Sequence, residues 1–208
     1  MKNPAPAHSV IAGLLLAGGR STRMGCDKAQ LELSGRPLGD RLAATLAAST
    51  LGSAGVSPLF LSCRSDQSWT PAGFRRLEDR LPDGGVLAAL VDALTLTSAE
   101  AAVTIILAVD LPHANSGRLA DFAQRALHGG ISLVPSNRGQ FEPLAAAWHR
   151  SALPVLRETL AQNQSLQAAC ATLFERKMLC AYQLTDVEMA EMANVNTPAD
   201  AARVVRLP

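Results

Sequence analysis

The sequence lacks the features that mark several large functional classes. Its 208 residues carry a formal net charge of +1, so there is no basic field to attract nucleic acid and no acidic tail. Its four cysteines show no Cys-x-x-Cys spacing, which argues against a zinc site, and a chain of this length does not need disulfide bonds. We therefore expect reduced, mostly buried cysteines and no nucleic-acid partner.

Long hydrophobic runs are also missing. None approaches the roughly 20 apolar residues of a membrane-spanning helix. Lys2 and the apolar run Val10–Ala17 give a faint likeness to a signal peptide, but that run is short and follows Pro4 and Pro6. We expect a cytoplasmic protein without a membrane partner, with a flexible segment at residues 1–9 and one domain at residues 10–208.

What is present is an alternation of short apolar runs and helical patterns. Hydrophobic residues make up 48% of the chain and charged residues 18%, a balance typical of a globular domain with a large core. The pattern predicts strands at residues 10–17, 58–63, 103–109, 131–134 and 178–184. It predicts helices after Pro37, at 87–94, 119–127, 153–160 and 166–174, and from Thr197. Continuous apolar strands separated by helices predict an α/β fold with a mostly parallel sheet covered on both faces.

A glycine-rich basic loop follows the first predicted strand. Gly18 and Gly19 are followed by Arg20, Arg23 and Lys28. Paired glycines let the backbone bring its N–H groups against a ligand, and the basic side chains add charge and hydrogen-bond donors. A lone Gly-Gly pair would indicate only a tight turn. The three basic residues favour a phosphate-binding site, although the spacing fits neither a Walker motif nor G-x-G-x-x-G.

A carboxylate follows the strongest predicted strand. Asp110 begins the sequence Asp-Leu-Pro, and ligands of parallel sheets bind beyond the carboxyl ends of strands. Magnesium prefers oxygen ligands and takes one or two carboxylates together with phosphate oxygens. From residue types alone, however, Asp-Leu-Pro at this place is more typical of a turn or a helix cap.

Residues 16–28 carry a specific family resemblance. They read LAGGRSTRMGCDK and resemble the signature L-A-G-G-x-S-x-R-M-G-x-D-K of the molybdenum cofactor guanylyltransferases. More broadly they resemble the nucleotidyltransferases with a Rossmann-like fold. Further segments resemble family motifs in the same order, so that the likeness covers residues 11 to 203: residues 77–79, 82–90, 110–112, 143–145 and 194–200.

The resemblance implies a single Rossmann-like three-layer domain and a set of site residues. It implies that Asp110 binds Mg²⁺ and that Arg23, Lys28 and Asp110 are catalytic. The implied nucleotide-binding residues are Leu16, Ala17, Gly18, Gly19, Lys28, Asp79 and Asp110. Asn194 and Asn196 would contact the substrate phosphate, although shaping the turn before the last helix explains them equally well.

The implied activity is transfer of GMP from GTP to the terminal phosphate of molybdopterin, with release of pyrophosphate. In the family, Gly-Gly after Leu-Ala goes with guanine and Ala-Gly with cytosine, so Gly18-Gly19 favours GTP. A molybdoenzyme or a cofactor-delivery protein would be a further partner. Two other interpretations stay open: a cytidylyl- or sugar-phosphate nucleotidyltransferase of the same fold, and a non-catalytic nucleotide- or cofactor-binding module.

Two departures from the family pattern bear on these alternatives. The chain has Ser62-Cys63-Arg64 where the family usually carries an asparagine, which puts that nucleotide contact in doubt. It also has Ala89 in place of a glycine at the start of a helix, where the added methyl group could crowd the site. We expect these changes to alter substrate choice or to reduce activity.

Overall fold

The computed structural model describes residues 10–19, 27–33, 35–51, 57–79, 84–197 and 200. The strands are β1 (Ile11–Leu16), β2 (Glu32–Leu33), β3 (Arg36–Pro37), β4 (Leu59–Cys63), β5 (Phe74–Glu78), β6 (Val103–Ala108), β7 (Ser132–Asn137), β8 (Gln140–Phe141), β9 (Ala145–His149) and β10 (Leu179–Gln183). The α-helices are α1 (Leu38–Ser49), α2 (Gly85–Thr97), α3 (Ser116–Gly129), α4 (Leu153–Ala161), α5 (Leu166–Glu175) and α6 (Asp186–Glu191). The predicted flexible segment at residues 1–9 and most of the helix predicted from Thr197 lie outside the described residues.

One large mixed sheet organises the chain. Its strand order is β10-β7-β9-β6-β1-β4-β5, and β8 pairs with β7. β1 runs parallel to β4 and β6, and β4 runs parallel to β5. β9 is antiparallel to both β6 and β7, whereas β7 and β10 are parallel. The sheet is therefore mostly parallel, as predicted, with the antiparallel strand β9 inserted near its centre and the short strand β8 paired antiparallel with β7.

Two hydrophobic cores cover the two faces of this sheet. Side chains of a strand alternate between faces, so Ile11 and Leu15 join the core that includes α1 and α3. Ala12 and Leu14 join the core that includes α2, α4 and α5. Burial on both faces explains why the central strands are continuously apolar. The result is the predicted three-layer α/β architecture.

The predicted helices and strands within the described residues are confirmed, but the patterns missed several elements. β5 was not predicted because Arg75 and Arg76 interrupt the apolar pattern of this edge strand, which is only partly buried. β9 was not predicted because alanine has a low strand propensity. Pairing with β6 on one side and β7 on the other overrides that propensity. The short helix α6 and the β2–β3 hairpin also went unpredicted. Among the described residues, no helix is long and apolar enough to cross a membrane.

Candidate functional site

The carboxyl ends of four parallel strands meet at one edge of the sheet. β1 ends before Ala17, β4 before Arg64, β5 before Asp79 and β6 before Val109. Because parallel strands place these ends side by side, chain segments far apart in sequence share one crevice. The crevice is a cavity of about 290 Å³. It includes most of the predicted nucleotide-binding residues in its lining, namely Leu16, Gly18, Gly19, Lys28, Asp79 and Asp110.

The glycine turn, residues 17–19, lies against this cavity, which Gly18 and Gly19 line. Ala17 is buried, and its carbonyl oxygen accepts a hydrogen bond from Gln67 Nε2 at 3.0 Å. The Arg64 guanidinium donates to the carbonyl oxygens of Gly18, at 3.3 Å, and Gly19, at 2.8 Å. The turn is therefore held through its carbonyl groups by side chains of the loop that follows β4.

Asp79 explains why position 18 is glycine. An added Cβ at Gly18 would lie 2.2 Å from Asp79 Oδ2, a distance at which one of the two groups must move. Asp79 is itself held, because its backbone N–H donates to Cys63 O at 3.0 Å and its Oδ1 accepts from Ser62 Oγ at 2.9 Å. Burial raises the pKa of the Asp79 carboxyl, while the Ser62 hydrogen bond and the nearby Arg64 charge oppose that rise.

The side chains of Lys28, Asp110 and Asn196, which we call the pocket cluster, meet beside the cavity, and the first two line it. Lys28 Nζ lies 3.2 Å from Asp110 Oδ2 and 2.7 Å from Asn196 Oδ1. The Lys28 and Asp110 side chains are 13% and 24% exposed, so solvent only partly screens their ion pair. A hydrogen bond to a charged group contributes about 1.5–3 kcal/mol. Lys28 is thereby bound to two segments that come 82 and 168 residues later in the chain.

Local hydrogen bonds position both ends of the pocket cluster. Asp27 caps the short 3-10 helix Lys28–Gln30 by accepting from Ala29 N at 3.0 Å, which sets the direction of Lys28. The Val195 N–H donates to the Asp110 carbonyl oxygen at 2.8 Å. Asn196 N donates to Asp200 Oδ2 at 3.1 Å. Asn196 is therefore fixed by its backbone, and its side chain is directed to the lysine.

A reciprocal pair of hydrogen bonds follows Asn196. Thr197 Oγ1 accepts from Asp200 N at 3.2 Å, and Asp200 Oδ2 accepts from Thr197 N at 2.9 Å. This pattern is a capping box, with an aspartate where the usual motif has a glutamate. Thr197 therefore caps the backbone at the point where the sequence predicts the last helix to begin.

The two asparagines of the predicted pair are separated by the structure. Asn196 joins the pocket cluster, whereas Asn194 is exposed and lines a second cavity of about 370 Å³ beside the first. Arg23, predicted to be catalytic, lies outside the described residues. The roles of all these residues stay predictions.

The two departures from the family pattern are accommodated by this geometry. Cys63 is buried at the end of β4, and burial raises the pKa of its thiol. Its neighbour Ser62 lines the cavity, and Arg64 binds the glycine turn. Ala89 forms part of the cavity wall, and the cavity stays open beside it. The sequence drew attention to Ser62-Cys63-Arg64 as a departure at the end of a strand, but it assigned no role to Ser62 or Arg64.

The cavity is lined by two carboxylates, Asp79 and Asp110, rather than by a complete metal site. Among the described residues, no group of three or more His, Cys, Asp or Glu side chains could hold a metal ion. Only one oxygen of Asp110 is used by Lys28, and no other described residue binds the carboxylate. The residues fit a divalent cation that arrives with ligand phosphates, because magnesium typically combines one or two carboxylates with phosphate oxygens.

Comparison with known proteins gives a consistent family assignment. A family model described as the MobA-like NTP transferase domain matches residues 13–178. A probable molybdenum cofactor guanylyltransferase of Opitutus terrae is 33% identical over 197 residues, covering 94% of this chain and 95% of the relative. A molybdenum cofactor guanylyltransferase of Xanthomonas euvesicatoria is 30% identical and covers 93% of both chains.

A solved structure agrees in fold. Molybdopterin-guanine dinucleotide biosynthesis protein A from Archaeoglobus fulgidus superposes with a TM-score of 0.72. The match covers 93% of this chain and 96% of that one, at 22% sequence identity. At this level of identity, the likeness establishes the shared fold.

Proposed function

The chain belongs to the MobA-like NTP transferase family, and we propose that it is a molybdenum cofactor guanylyltransferase. It would transfer GMP from GTP to the terminal phosphate of molybdopterin and release pyrophosphate. One observation carries the proposal: the Lys28 ammonium group and the Asp110 carboxylate lie 3.2 Å apart in the wall of the cavity that the glycine turn also lines. That arrangement suits the binding of GTP beside the phosphate of molybdopterin, because both substrates are anionic and repel each other unless their charge is neutralised.

The proposed reaction needs charge neutralisation more than proton transfer. A phosphate oxygen of the acceptor attacks the α-phosphorus of GTP, and the bond to the bridging oxygen breaks as pyrophosphate leaves. A phosphate monoester has a second pKa near 6, so the nucleophile is already anionic at neutral pH and needs no general base. Lys28 Nζ would oppose the charge that develops on the phosphates. Arg23 would add a second cation.

Asp110 would hold the divalent cation that we propose to be Mg²⁺. When bound there with the nucleotide, the ion would supply Lewis-acid polarisation of the phosphate oxygens. Asn196 keeps Lys28 beside Asp110 through its 2.7 Å hydrogen bond. Asn194, at the edge of the second cavity, would donate to the acceptor phosphate.

Gly18 and Asp79 support guanine as the base. The close approach of the Asp79 carboxylate to Gly18 leaves no space for a side chain at this point of the turn. Backbone N–H groups of residues 16–19 would hold the nucleotide, and Asp79 would contact the guanine or its sugar. We expect the reaction to take place in the cytoplasm, with a molybdoenzyme or a delivery protein receiving the product.

A nucleotide series tests the base assignment. Only a ligand that binds the folded state raises the unfolding midpoint, so we expect GTP with Mg²⁺ to raise it more than CTP, ATP or UTP. Gly18→Ala forces Asp79 or the turn to move and should reduce the GTP shift. Gly129→Ala serves as a control for glycine replacement, because Gly129 is exposed at the end of α3 and an added Cβ would make only an ordinary contact, 3.5 Å from Ile131. Equal shifts for all four nucleotides would contradict guanine selectivity. Pyrophosphate release from GTP and molybdopterin separates an enzyme from a binding module.

A further inference from the structure

A second cavity adjoins the nucleotide cavity. It has a volume of about 370 Å³ and shares Val86, Asp110 and Leu144 with the first. A molecule that occupies it would therefore reach the carboxylate at which the transferred phosphate is expected. Small-molecule sites typically fall in the range of about 300–1,000 Å³. The volume suits the ring system of an acceptor.

The walls of this second cavity are mainly apolar and are held in place. Phe141, Pro143, Leu166 and Met192 contribute aromatic, aliphatic and thioether surface. The position of Phe141 is fixed by Gln167, whose side chain accepts from Phe141 N at 3.1 Å and donates to Phe141 O at 2.8 Å. Flat aromatic and thioether surfaces pack well against a planar ring. Because Gln167 uses its amide on the backbone, it is not the polar group that would select a ligand.

Glu142 is the unusual member of the lining. Its backbone is fixed, since the N–H donates to Pro135 O at 2.8 Å and the carbonyl accepts from Ala145 N at 3.4 Å. Its carboxyl group is half-buried and has no hydrogen-bond or ion-pair partner among the residues that the structure describes. Burial alone raises the pKa of this carboxyl, because no cation nearby offsets the lost hydration. A partly desolvated polar group without a partner is costly unless a ligand supplies one.

The charge of Glu142 determines which end of an acceptor it can meet. A carboxylate without a nearby cation repels a phosphate, so the phosphate end belongs at the other end of the cavity pair, where the Lys28 ammonium group lies 3.2 Å from Asp110. The opposite end of molybdopterin is a pterin, whose amino-pyrimidinone edge presents two adjacent N–H donors. Two oxygens of a carboxylate accept such a pair of donors in parallel, as they do from a guanidinium group.

We propose that Glu142 is a specificity-determining residue of the acceptor site, where its carboxylate accepts two hydrogen bonds from the pterin edge of the acceptor. This inference rests on the proposed function for the identity of the acceptor. The apolar walls would pack against the pterin ring, and the shared boundary at Asp110 would receive the phosphate.

Glu142→Gln tests the inference with little change in side-chain shape. It removes one acceptor atom, and hydrogen bonds to charged groups are strong enough that we expect the KM for molybdopterin to rise about 10- to 100-fold. The KM for GTP should stay unchanged. Glu175→Gln makes the same change at an exposed site on α5 and serves as the matched control. Unfolding midpoints of both variants check that the fold is intact. An unchanged KM for molybdopterin in Glu142→Gln would overturn the inference.

Direct binding separates this inference from the transfer reaction. In the presence of GDP, the wild-type protein should bind 6-hydroxymethylpterin, and Glu142→Gln should bind it at least tenfold more weakly. The wild type should bind 6-hydroxymethyllumazine poorly, because a carbonyl replaces the amino donor. Pterin binding that depends on Glu142 without GMP transfer would support the inference and contradict the transfer reaction. GMP transfer without pterin binding, or pterin binding independent of Glu142, would overturn the inference and leave the transfer reaction intact.

Discussion

Two groups of charged side chains join distant parts of this chain, and they differ in how many of their polar atoms form hydrogen bonds within the protein. In the pocket cluster, Lys28 binds one oxygen of Asp110 and the side chain of Asn196 beside an open cavity. In what we call the tether cluster, Arg118 of α3 binds Glu188 and Glu191 of α6. Both clusters are ion-paired and partly buried.

The tether cluster is saturated with hydrogen bonds. Arg118 donates from Nε to Glu191 at 2.7 Å and from Nη1 to Glu188. Glu188 also accepts from Thr185 N at 2.8 Å and from the Tyr182 hydroxyl at 2.9 Å. The Thr185 N–H chiefly, with the Tyr182 hydroxyl, lowers the pKa of Glu188 to about 2. We interpret the tether cluster as structural. We interpret the pocket cluster, in which one oxygen of Asp110 has no partner among the described residues, as ligand-binding.

The largest expected effect comes from Asp110→Asn. The change removes the negative charge that would hold the metal and that pairs with Lys28. We expect turnover to fall on the order of 10³-fold, since electrostatic and metal contributions of this kind are large. Pyrophosphate release measures turnover, and circular dichroism checks that the fold is retained. Full activity in this variant would show that Asp110 is not the metal ligand.

A matched pair of charge deletions tests the comparison itself. Lys28→Met and Arg118→Met each remove one cation and keep much of the side-chain stem. Lys28→Met should lower kcat/KM roughly 10²-fold, and it should also lower the unfolding midpoint, because Asp110 and Asn196 lose their common partner. Arg118→Met should leave kcat/KM nearly unchanged and lower the midpoint, because Glu188 and Glu191 lose their common partner. If both variants lost activity equally, the division into a structural and a ligand-binding cluster would be wrong.

The smallest expected effect concerns pH and the tether cluster. The folded-state pKa of Glu188, about 2, lies below its ordinary value of 4.5. Its carboxylate therefore stabilises the fold above pH 4.5, and this contribution is lost as the pH falls from 4.5 through 2. Glu188→Gln should lower the unfolding midpoint by a few degrees at pH 7 and leave turnover unchanged. The difference between variant and wild type should shrink below pH 4.5; a constant difference would contradict the assignment.

The sequence pattern predicted the parts of the fold that carry strong local signals. β1 and β6 are continuous apolar runs, and α1 repeats leucine at four-residue spacing, so each can be recognised without its neighbours. β9 is a run of alanines before Trp148, and its strand state depends on pairing with β6 and β7. No local pattern contains that information.

The residues of the candidate site also fall into two groups, those recognisable from a short segment of sequence and those defined by tertiary contacts. Gly18, Gly19 and Lys28 could be selected from one short segment, because glycines and basic residues together indicate phosphate binding. Ser62 and Arg64 could not be given roles, because hydrogen bonds to residues 17 and 45 positions away define what they do. Glu142 carried no sequence signal, since its interest lies in a half-buried carboxyl without a partner in the described structure.

The sequence by itself determined the α/β class, the phosphate-binding loop and the family resemblance, because strand burial, glycine turns and basic residues all act over a few neighbouring positions. Tertiary structure decided which distant groups meet: Asp110 and Asn196 at Lys28, Asp79 against Gly18, and Glu142 in the cavity beside them. The physical reason is that parallel strands bring their carboxyl ends to one edge of the sheet whatever their separation along the chain. The order of strands in the sheet, rather than any motif, places those side chains around a common space.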